Sequence, residues 1–561
     1  MQRRGTSLWA AGLAVLACLT ACTGGGSVPG ARATATAGTG TETNSGDAEE
    51  VAPGEPTPTP GVFEADADVL DVAISEPATL DPMRIQDPGS VLVARQLYEG
   101  LTRWDPVQEE VVPAAAERWK VTKGGRTFTF KLRADMTFHD GSPVVAGDFV
   151  FAFDRIARRR NASEIAYALE QVRGFAAVNE QGTATHLAGL AAPDKRTLVV
   201  ELSEPLRDLP AVLTHPSLVP VPREAVKDID EFLSEPVGNG PFQMARPWSP
   251  GSPVILESFP GYVEAPELDG IRFIPYPDAA ASWLQFLDGD LDVAEVPSGQ
   301  IEQAEREFGT KGFKPLLAGY YYGINLRAGA LDDIRLRKAI NQAIDREAIA
   351  STIYKGTMVP PRGIVPEGMP GFEDNICSTL CRYSSQAASR LVSRLRPGER
   401  RLTLEYTKGD PHRQVASFVR RNLEQVGLDV RVKGFPFPNF LRHLERGSEG
   451  AYRLGWIAEF PDPDVFLSTL FGSLSPENHS GFKSRKIDGV LDKAHAEGDQ
   501  DKRVRLYRRA ERMILEQAPL VPIGSFVTRW AAQPIVQDIA FDVMGGFDAA
   551  EVSLDETEEG E

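Results

Sequence analysis

The chain has 561 residues and a formal net charge of −19 at pH 7. This excess of acidic residues argues against nucleic acid as a partner and against binding of anionic lipid by a polybasic surface. It weakly favours cationic or zwitterionic ligands. The length is enough for two or three lobes with full hydrophobic cores.

The N-terminal segment, residues 1–21, has the pattern of a secretory signal peptide. Two arginines precede an apolar stretch over residues 8–19, which is shorter than the ~20 residues that cross a bilayer. The stretch ends in Leu19-Thr20-Ala21-Cys22, which resembles the lipobox of bacterial lipoproteins and implies that Cys22 is lipidated and becomes the mature N-terminus. The alternative is an ordinary cleaved signal followed by a stray cysteine. An exported protein excludes most cytosolic functions.

Two segments of biased composition flank the predicted folded region. Residues 22–61 are rich in Gly, Ser, Thr, Ala and Pro and contain almost no apolar side chains, so a disordered linker is expected behind the lipid. Residues 551–561 are expected to form a solvated acidic tail.

Cysteine and histidine usage favours a disulfide over a metal site. Of the four cysteines, one lies in the signal, Cys22 would carry the lipid, and Cys377 and Cys381 remain. In an exported protein, such a leftover pair is expected to form a disulfide. The seven histidines are scattered without His-Glu-x-x-His spacing, so neither a metal nor another cofactor is predicted.

Apolar residues alternate with charged or hydroxyl residues over residues 127–132 and 197–202. This period of two predicts two strands, each with one buried face.

A stretch in the C-terminal half alternates between strand and helix patterns. Strands are predicted at residues 402–406, 428–432 and 452–457. The first intervening helix is expected to start at Pro411 with Asp410 as its cap, and the second includes Phe440. This β-α-β-α-β order implies a parallel sheet with right-handed crossovers.

Ligands of parallel sheets bind beyond the carboxyl ends of the strands. His412 follows the first predicted strand, Phe437 the second and Glu459 the third. A surface histidine, a packed phenylalanine or a solvated glutamate would each be unremarkable alone. Their shared location predicts a binding site at this edge of the sheet.

Several short motifs occur in the order found in one family of binding proteins. They include Thr79-Leu-Asp-Pro82, Leu97-Tyr-Glu-Gly-Leu101, Phe138-His-Asp-Gly141, Gly238-Asn-Gly-Pro-Phe242, Asp288-Gly-Asp-Leu-Asp292 and the segment from Trp456 to Asp464. Each motif is weak alone, but their colinear order is specific. Over residues 65–550 the chain resembles the oligopeptide- and dipeptide-binding receptors of bacterial ABC importers, the family 5 extracytoplasmic solute-binding proteins.

The resemblance implies an α/β fold of the type II periplasmic-binding-protein class, with two lobes, a two-strand hinge and a ligand cleft between the lobes. The large lobe is expected over residues 62–317 plus 520–550 and carries an inserted segment at residues 91–234. The small lobe is expected over residues 323–517. Ligand would be trapped when the lobes close about the hinge.

The resemblance also implies how a peptide is held. Gly455 and Trp456 match the strand whose backbone pairs with the peptide, a mode of binding that does not depend on peptide sequence. The family's aspartate for the ligand's α-ammonium is replaced by Glu459, which keeps the charge but is one methylene longer.

Other family positions point to the remaining parts of the cleft. Arg453 and His412 match positions associated with the carboxyl end of the ligand. Phe437 stands where an aromatic residue lines the cleft. Tyr321 and Tyr322, near the hinge, either face the cleft or pack within the hinge.

The leading prediction is a monomeric, lipid-anchored receptor that captures peptides and delivers them to an ABC permease and ATPase complex in the same membrane. The sequence contains no nucleophile elbow, phosphate-binding loop or zinc motif, so an enzyme is not predicted. Asp462 and Asp464 resemble paired catalytic carboxylates, but Pro463 between them favours a turn. The alternatives are the same fold binding an oligosaccharide, an opine or a chelated metal, and a signalling or adhesion lipoprotein.

Overall fold

The computed structural model describes residue 63 and residues 67–458 and 460–555, apart from the side chain of Pro438. The predicted signal, Cys22, the linker, Glu459 and the end of the acidic tail therefore lie outside the described residues.

The strands are numbered in chain order. They are β1 Val69–Ile74, β2 Thr102–Asp105, β3 Glu110–Pro113, β4 Ala116–Thr122, β5 Thr127–Leu132, β6 Leu190–Asp194, β7 Thr197–Glu201, β8 Phe242–Met244, β9 Val254–Ser258, β10 Gly270–Pro275, β11 Val293–Glu295, β12 Gly312–Ile324, β13 Met358–Val359, β14 Arg401–Thr407, β15 Asp429–Phe435, β16 Ala451–Ile457, β17 Leu520–Ala532, β18 Val536–Gln537 and β19 Ser553–Leu554.

The α-helices are numbered in the same way. They are α1 Pro88–Leu97, α2 Ala146–Ala157, α3 Leu209–Val212, α4 Ile229–Ser234, α5 Ala279–Leu287, α6 Ile301–Glu307, α7 Ile334–Ala343, α8 Arg346–Ile349, α9 Ser385–Ser393, α10 His412–Gln425, α11 Phe437–Arg446, α12 Asp464–Phe471, α13 Arg485–Ala496 and α14 Gln500–Gln517.

One sheet runs through both lobes. Its strand order is β15-β14-β16-β12-β17-β11-β1-β10-β9-β8, and β13 adds to β17. A separate four-stranded antiparallel sheet, β4-β5-β7-β6, lies in the inserted segment. The two strands predicted from alternation, β5 and β7, are neighbours in that sheet, and their apolar residues are buried as the period of two predicts.

Two long strands, β12 and β17, connect the lobes. Residues 312–315 pair with residues 527–530, and residues 319–323 pair with residues 520–525, with a register irregularity between the two paired stretches. At one end β17 pairs with β11, and at the other end β12 pairs with β16. The two-lobe α/β fold predicted from the resemblance is confirmed. The proposed lobe boundaries remain a prediction.

The β-α-β-α-β prediction for residues 402–457 matches the secondary structure. β14 pairs in parallel with both β15 and β16, and α10 and α11 are the two crossovers. One detail differs, because α10 begins at His412 and Asp410 does not cap it. The carboxylate of Asp410 instead accepts two hydrogen bonds from the guanidinium of Arg413, at 3.0 and 2.9 Å. This side-chain ion pair replaces a backbone cap.

Helices cover both faces of the sheet in the small lobe. One apolar core contains residues of β16 together with α12, α13 and α14. A second core, on the opposite face, contains residues of β12 and β14 together with α7, α9 and α10. Since both faces are covered, the edge at the carboxyl ends of the parallel strands is where a ligand can reach this lobe.

Candidate ligand-binding site

A topological switch point lies at that edge. The order β15-β14-β16 means that the chain crosses to one side of β14 to form β15 and to the other side to form β16. Open α/β sheets bind ligands in the crevice outside the carboxyl ends of the strands at such a reversal. His412 follows β14 and residue 459 follows β16, whereas Phe437 follows the edge strand β15.

The backbone of β16 lacks a paired strand on one side of this crevice. Pairing between β14 and β16 stops at Glu405 and Tyr452. On the other side, Ala458 donates its N–H to the carbonyl of Leu317 at 2.8 Å. Because hydrogen-bonded pairs alternate along an antiparallel ladder, Gly455 turns its N–H and C=O away from β12. An extended ligand can pair with these two groups.

Arg453 is a buried cation beside this backbone. The residue is 2% exposed, its guanidinium lies 4.6 Å from the ring centre of Tyr320, and its Nη1 donates to the hydroxyl of Thr407 at 3.3 Å. Among the residues that the structure describes, its Nε and Nη2 have no hydrogen-bond partner, and it forms no ion pair. A buried charge without a counter-ion is costly, so the surroundings of Arg453 suit an anionic ligand group.

His412 lies beside Arg453 but does not supply the missing negative charge. Its Nδ1 is 3.4 Å from the hydroxyl of Tyr320, and the residue is buried. Burial, together with repulsion from Arg453, lowers the pKa of His412 from 6.5 to about 3. The imidazole is therefore neutral at physiological pH and is available as a hydrogen-bonding partner.

Three tyrosines complete the surroundings of Arg453. Tyr322 is directly opposite Arg453 in the pairing of β12 with β16, and the rings of Tyr322 and Tyr354 both pack against Tyr320. Burial raises the pKa of all three hydroxyls, so they remain neutral. The hydroxyls of Tyr322 and Tyr354 both interact with the hydroxyl of Tyr320.

Of the two hinge tyrosines that the sequence analysis considered, Tyr322 lies beside Arg453 together with Tyr320, and Tyr321 does not. Successive residues of a strand point to opposite faces, and Tyr321 lies in the core beside α12 rather than with Arg453. Of the two possibilities for Tyr321, the structure places it as a packed hinge aromatic. The alternation within Tyr320-Tyr321-Tyr322 is the signal that would have identified Tyr320.

A second part of the site is a cavity of about 680 Å³ between the inserted segment and the small lobe. The small lobe contributes Trp456, Ile457 and Phe460, and the inserted segment contributes Tyr167 and Leu206. Residue 459 falls between two of these lining residues in the sequence. The volume is within the range of about 300–1,000 Å³ that is typical of ligand pockets.

Phe437, like Tyr321, is a described candidate that the structure does not bring to either part of the site. It is the first residue of α11 and packs, partly buried, against the core of the small lobe. It is not among the residues that line the 680 Å³ cavity. Its position one strand away from the switch point accounts for this.

Charged residues connect the inserted segment to the small lobe next to the cavity. Arg503 pairs with Asp208 at 2.5 Å, and the backbone N–H of Asp464 donates to the carboxylate of Asp462 at 2.8 Å. Nε2 of His495 lies 2.5 Å from the carboxylate of Asp464. Sequence analysis identified Asp462 and Asp464 only as part of a turn. Their contact with a distant segment depends on tertiary structure.

The cluster contains more acid than base, and this shifts its pKa values. Burial, together with the charges of Asp208 and Asp464, raises the pKa of Asp462 well above its usual range. Burial alone would lower the pKa of His495, but Asp464 and Asp208 outweigh it and raise that pKa to about 9. His495 therefore favours its charged form at physiological pH, whereas burial disfavours the charged form of Asp462.

The cysteine and metal predictions fall partly within the described residues. Cys377 and Cys381 are joined by a disulfide, with their Cα atoms 5.4 Å apart. Within residues 67–458 and 460–555, no three or more His, Cys, Asp or Glu residues are grouped in a way that could hold a metal ion. None of the helices that the structure describes is long and apolar enough to cross a membrane.

Comparison with known proteins identifies the family. The model of the bacterial extracellular solute-binding proteins, family 5, matches residues 110–478. The chain belongs to this family. It is therefore a binding protein and not an enzyme, as the sequence analysis predicted.

The relatives of this solute-binding protein are similar along most of their length. The probable deoxycholate-binding periplasmic protein YgiS of Escherichia coli strain K12 is 29% identical over 464 residues, which cover 80% of this chain and 86% of the relative. The oligopeptide-binding protein OppA of Bacillus subtilis strain 168 is 27% identical over 476 residues, which cover 81% and 87%.

Solved structures of one relative share the fold. The unliganded open form of the periplasmic murein tripeptide binding protein MppA has a TM-score of 0.78 at 25% identity, covering 87% of this chain and 98% of that chain. A second structure, of Escherichia coli MppA, has a TM-score of 0.66 at the same identity.

Proposed function

We propose that this solute-binding protein captures peptides between its lobes and delivers them to the permease of an ABC importer. The observation that carries the proposal is the buried guanidinium of Arg453, which has no counter-ion among the described residues, next to the backbone of Gly455, which none of the described strands pairs on its outer side. A peptide supplies a carboxylate for the first and N–H and C=O groups for the second. An oligosaccharide without an acidic group supplies neither a carboxylate nor a peptide backbone.

The names of relatives agree with a peptide ligand. Besides OppA of Bacillus subtilis, they include a periplasmic murein peptide-binding protein and a dipeptide-binding protein of Escherichia coli. YgiS, by its name, binds deoxycholate, which also carries a carboxylate but offers no peptide backbone. The two possibilities differ in whether the backbone groups of Gly455 are used.

The carboxylate of the peptide is proposed to lie against Arg453, with neutral His412 and the tyrosine hydroxyls as further hydrogen-bonding partners. The α-ammonium is proposed to pair with Glu459. With both ends held by charge, the receptor would bind zwitterionic peptides of varied sequence, and the backbone pairing at Gly455 would fix the direction of the chain.

Calorimetry with three forms of one peptide tests this arrangement. The free peptide should bind about a hundredfold or more tightly than its C-terminal amide or its N-acetylated form, because breaking a buried charge pair costs about 3–5 kcal/mol. Arg453→Met should remove the advantage over the amide only, and Glu459→Gln the advantage over the acetylated form only. Glu459→Asp should be tolerated. Equal affinities for all three forms in the wild type would contradict the proposal.

We also propose that the receptor is held at the outer face of the membrane by a lipid on Cys22, as its lipobox implies. Cys22→Ala should release the protein from the membrane fraction without changing its thermal unfolding. A variant that still carries metabolic lipid label and sediments with membranes would contradict the lipid anchor.

A further inference from the structure

The 680 Å³ cavity between the inserted segment and the small lobe has an excess of negative charge. Carboxylic acid side chains line it at five positions, against one arginine and one histidine. Most of these charges are already matched. Arg126 pairs with Glu204 at 3.3 Å, His495 pairs with Asp464 at 2.5 Å, and burial disfavours the charged form of Asp462.

Two carboxylates of the cavity remain without a direct contact to a cation. Among the described residues, neither the side chain of Glu170 in the inserted segment nor that of Asp492 in α13 forms a hydrogen bond or ion pair, although the charge of Asp492 contributes to the raised pKa of His495. Burial, together with the charge of Glu180, raises the pKa of Glu170 above its usual value, which is the response of a half-buried carboxylate that lacks a cation. The two residues belong to different lobes and line the same cavity, so both walls of the cavity carry an acid that no cation contacts.

The aromatic residues of the cavity provide an independent indication of a ligand. Trp456 is 5% exposed and lines the cavity, and its indole Nε1 has no hydrogen-bond partner among the described residues. Tyr167 and Phe460 line the same space. Aromatic rings favour a desolvated cation nearby, and an unpaired indole N–H favours a carbonyl. A lysine or arginine side chain on a peptide backbone supplies both a cation and adjacent carbonyl groups.

We propose that this cavity receives a lysine or arginine side chain of the bound peptide, and that the receptor therefore prefers cationic peptides. The inference rests on the proposed peptide-binding function and adds a preference to it. Glu170 and Asp492 are the residues that determine the preference, and Trp456 covers the aliphatic part of the cationic side chain.

Calorimetry on a matched set of peptides tests the preference. The set consists of free tetrapeptides of norleucine in which each position in turn is replaced by lysine, so that termini and side-chain length stay nearly constant. At one position lysine should improve the affinity of the wild type by about tenfold or more, as expected for a charge-assisted hydrogen bond. Glu170→Gln and Asp492→Asn should each reduce this advantage to about threefold or less.

The matched control is Glu164→Gln. Glu164 is exposed and belongs to the short 3-10 helix that precedes Glu170, and it does not line the cavity. The variant removes the same charge from the same region, so it should keep the full advantage of lysine at 150 mM salt.

Each outcome bears on the proposal. If the peptides bind but lysine gives no advantage at any position, the cavity preference is wrong and peptide binding stands. If Glu164→Gln lowers the advantage of lysine as much as Glu170→Gln does, the advantage comes from the overall negative charge of the protein. The cavity preference is then wrong as well. If no peptide of the set binds, the proposed function fails and the preference fails with it.

Discussion

Arg503 of the small lobe and Asp208 of the inserted segment form an ion pair of 2.5 Å in which the two side chains are 14% and 5% exposed. The pair joins two regions that are linked otherwise through the large lobe and the hinge strands β12 and β17. If the cleft closes about this hinge, the two regions either move together with the ion pair intact, or the ion pair breaks.

Removing one member of this pair should destabilise the protein. Arg503→Met leaves Asp208 buried without its cation, and we expect the free energy of unfolding in urea to fall by about 3 kcal/mol. Asp208→Asn in the same background should restore part of the loss, because the stranded charge is gone. Lys502→Met, on the same helix but in an exposed pair with Asp499, should cost less than about 1 kcal/mol. Equal losses for the two single variants would contradict a special role for Arg503.

The raised pKa of His495 predicts a pH dependence of stability. Between its ordinary value of 6.5 and about 9, the folded state binds a proton on His495 that the unfolded state has released. The free energy of unfolding should therefore fall as the pH rises through this window, with a slope of up to about 1.4 kcal/mol per pH unit.

His495→Gln should flatten this slope, as measured by urea unfolding at intervals between pH 7 and pH 9. The control is Ser468→Ala, which removes a hydrogen bond to the same carboxylate of Asp464 but no titrating group. It should shift the whole curve without changing its slope. A slope that survives in His495→Gln would assign the titration to another group.

Two buried arginines without carboxylate partners should behave in opposite ways. Arg453→Met should leave the unfolding free energy of the empty protein unchanged or higher by up to about 2 kcal/mol, since an apolar side chain of similar size replaces a poorly paired charge. Arg346 is 4% exposed but donates to the carbonyls of Pro522, Asn341 and Cys381 at 2.6, 2.9 and 2.8 Å.

Arg346→Met should therefore lower the unfolding free energy by about 3 kcal/mol or more, because several buried carbonyls lose their donor at once. Thermal unfolding of the two variants, without added peptide, makes the comparison. If Arg453→Met is as damaging as Arg346→Met, then Arg453 is a structural residue and the assignment of an anion site is wrong.

The disulfide between Cys377 and Cys381 should make a modest contribution to stability. It closes a short loop, and the chain-entropy estimate for such a loop is about 2 kcal/mol. The double variant Cys377→Ser, Cys381→Ser should lose about that amount in urea unfolding. Reductant should destabilise the wild type to the same level and leave the double variant unchanged. A wild type that is insensitive to reductant, with both thiols open to labelling, would contradict the prediction.

The parts of the site that follow from local pattern could be predicted from sequence. The periodicity of residues 402–457 gave the strand and helix order, and that order placed His412 at the carboxyl edge of the sheet. The contact of Arg453 with Tyr320 was not predicted, because it depends on which strand pairs with β16. Likewise, nothing local to Asp208 or Asp462 indicates that residues so far apart in the chain meet beside one cavity.

The lack of a described counter-ion for Arg453 has a consequence for the lifetime of the receptor in the cell. A ligand that binds only the folded state stabilises it by about 2.7 kcal/mol when present at a hundred times its dissociation constant. A ligand that neutralises the buried charge therefore stabilises the ligand-bound protein against unfolding. The ligand-free protein unfolds more often and is cleaved by proteases more often. Turnover of this protein should then follow the supply of its nutrient, with receptor molecules degraded faster during starvation and retained when peptide is abundant.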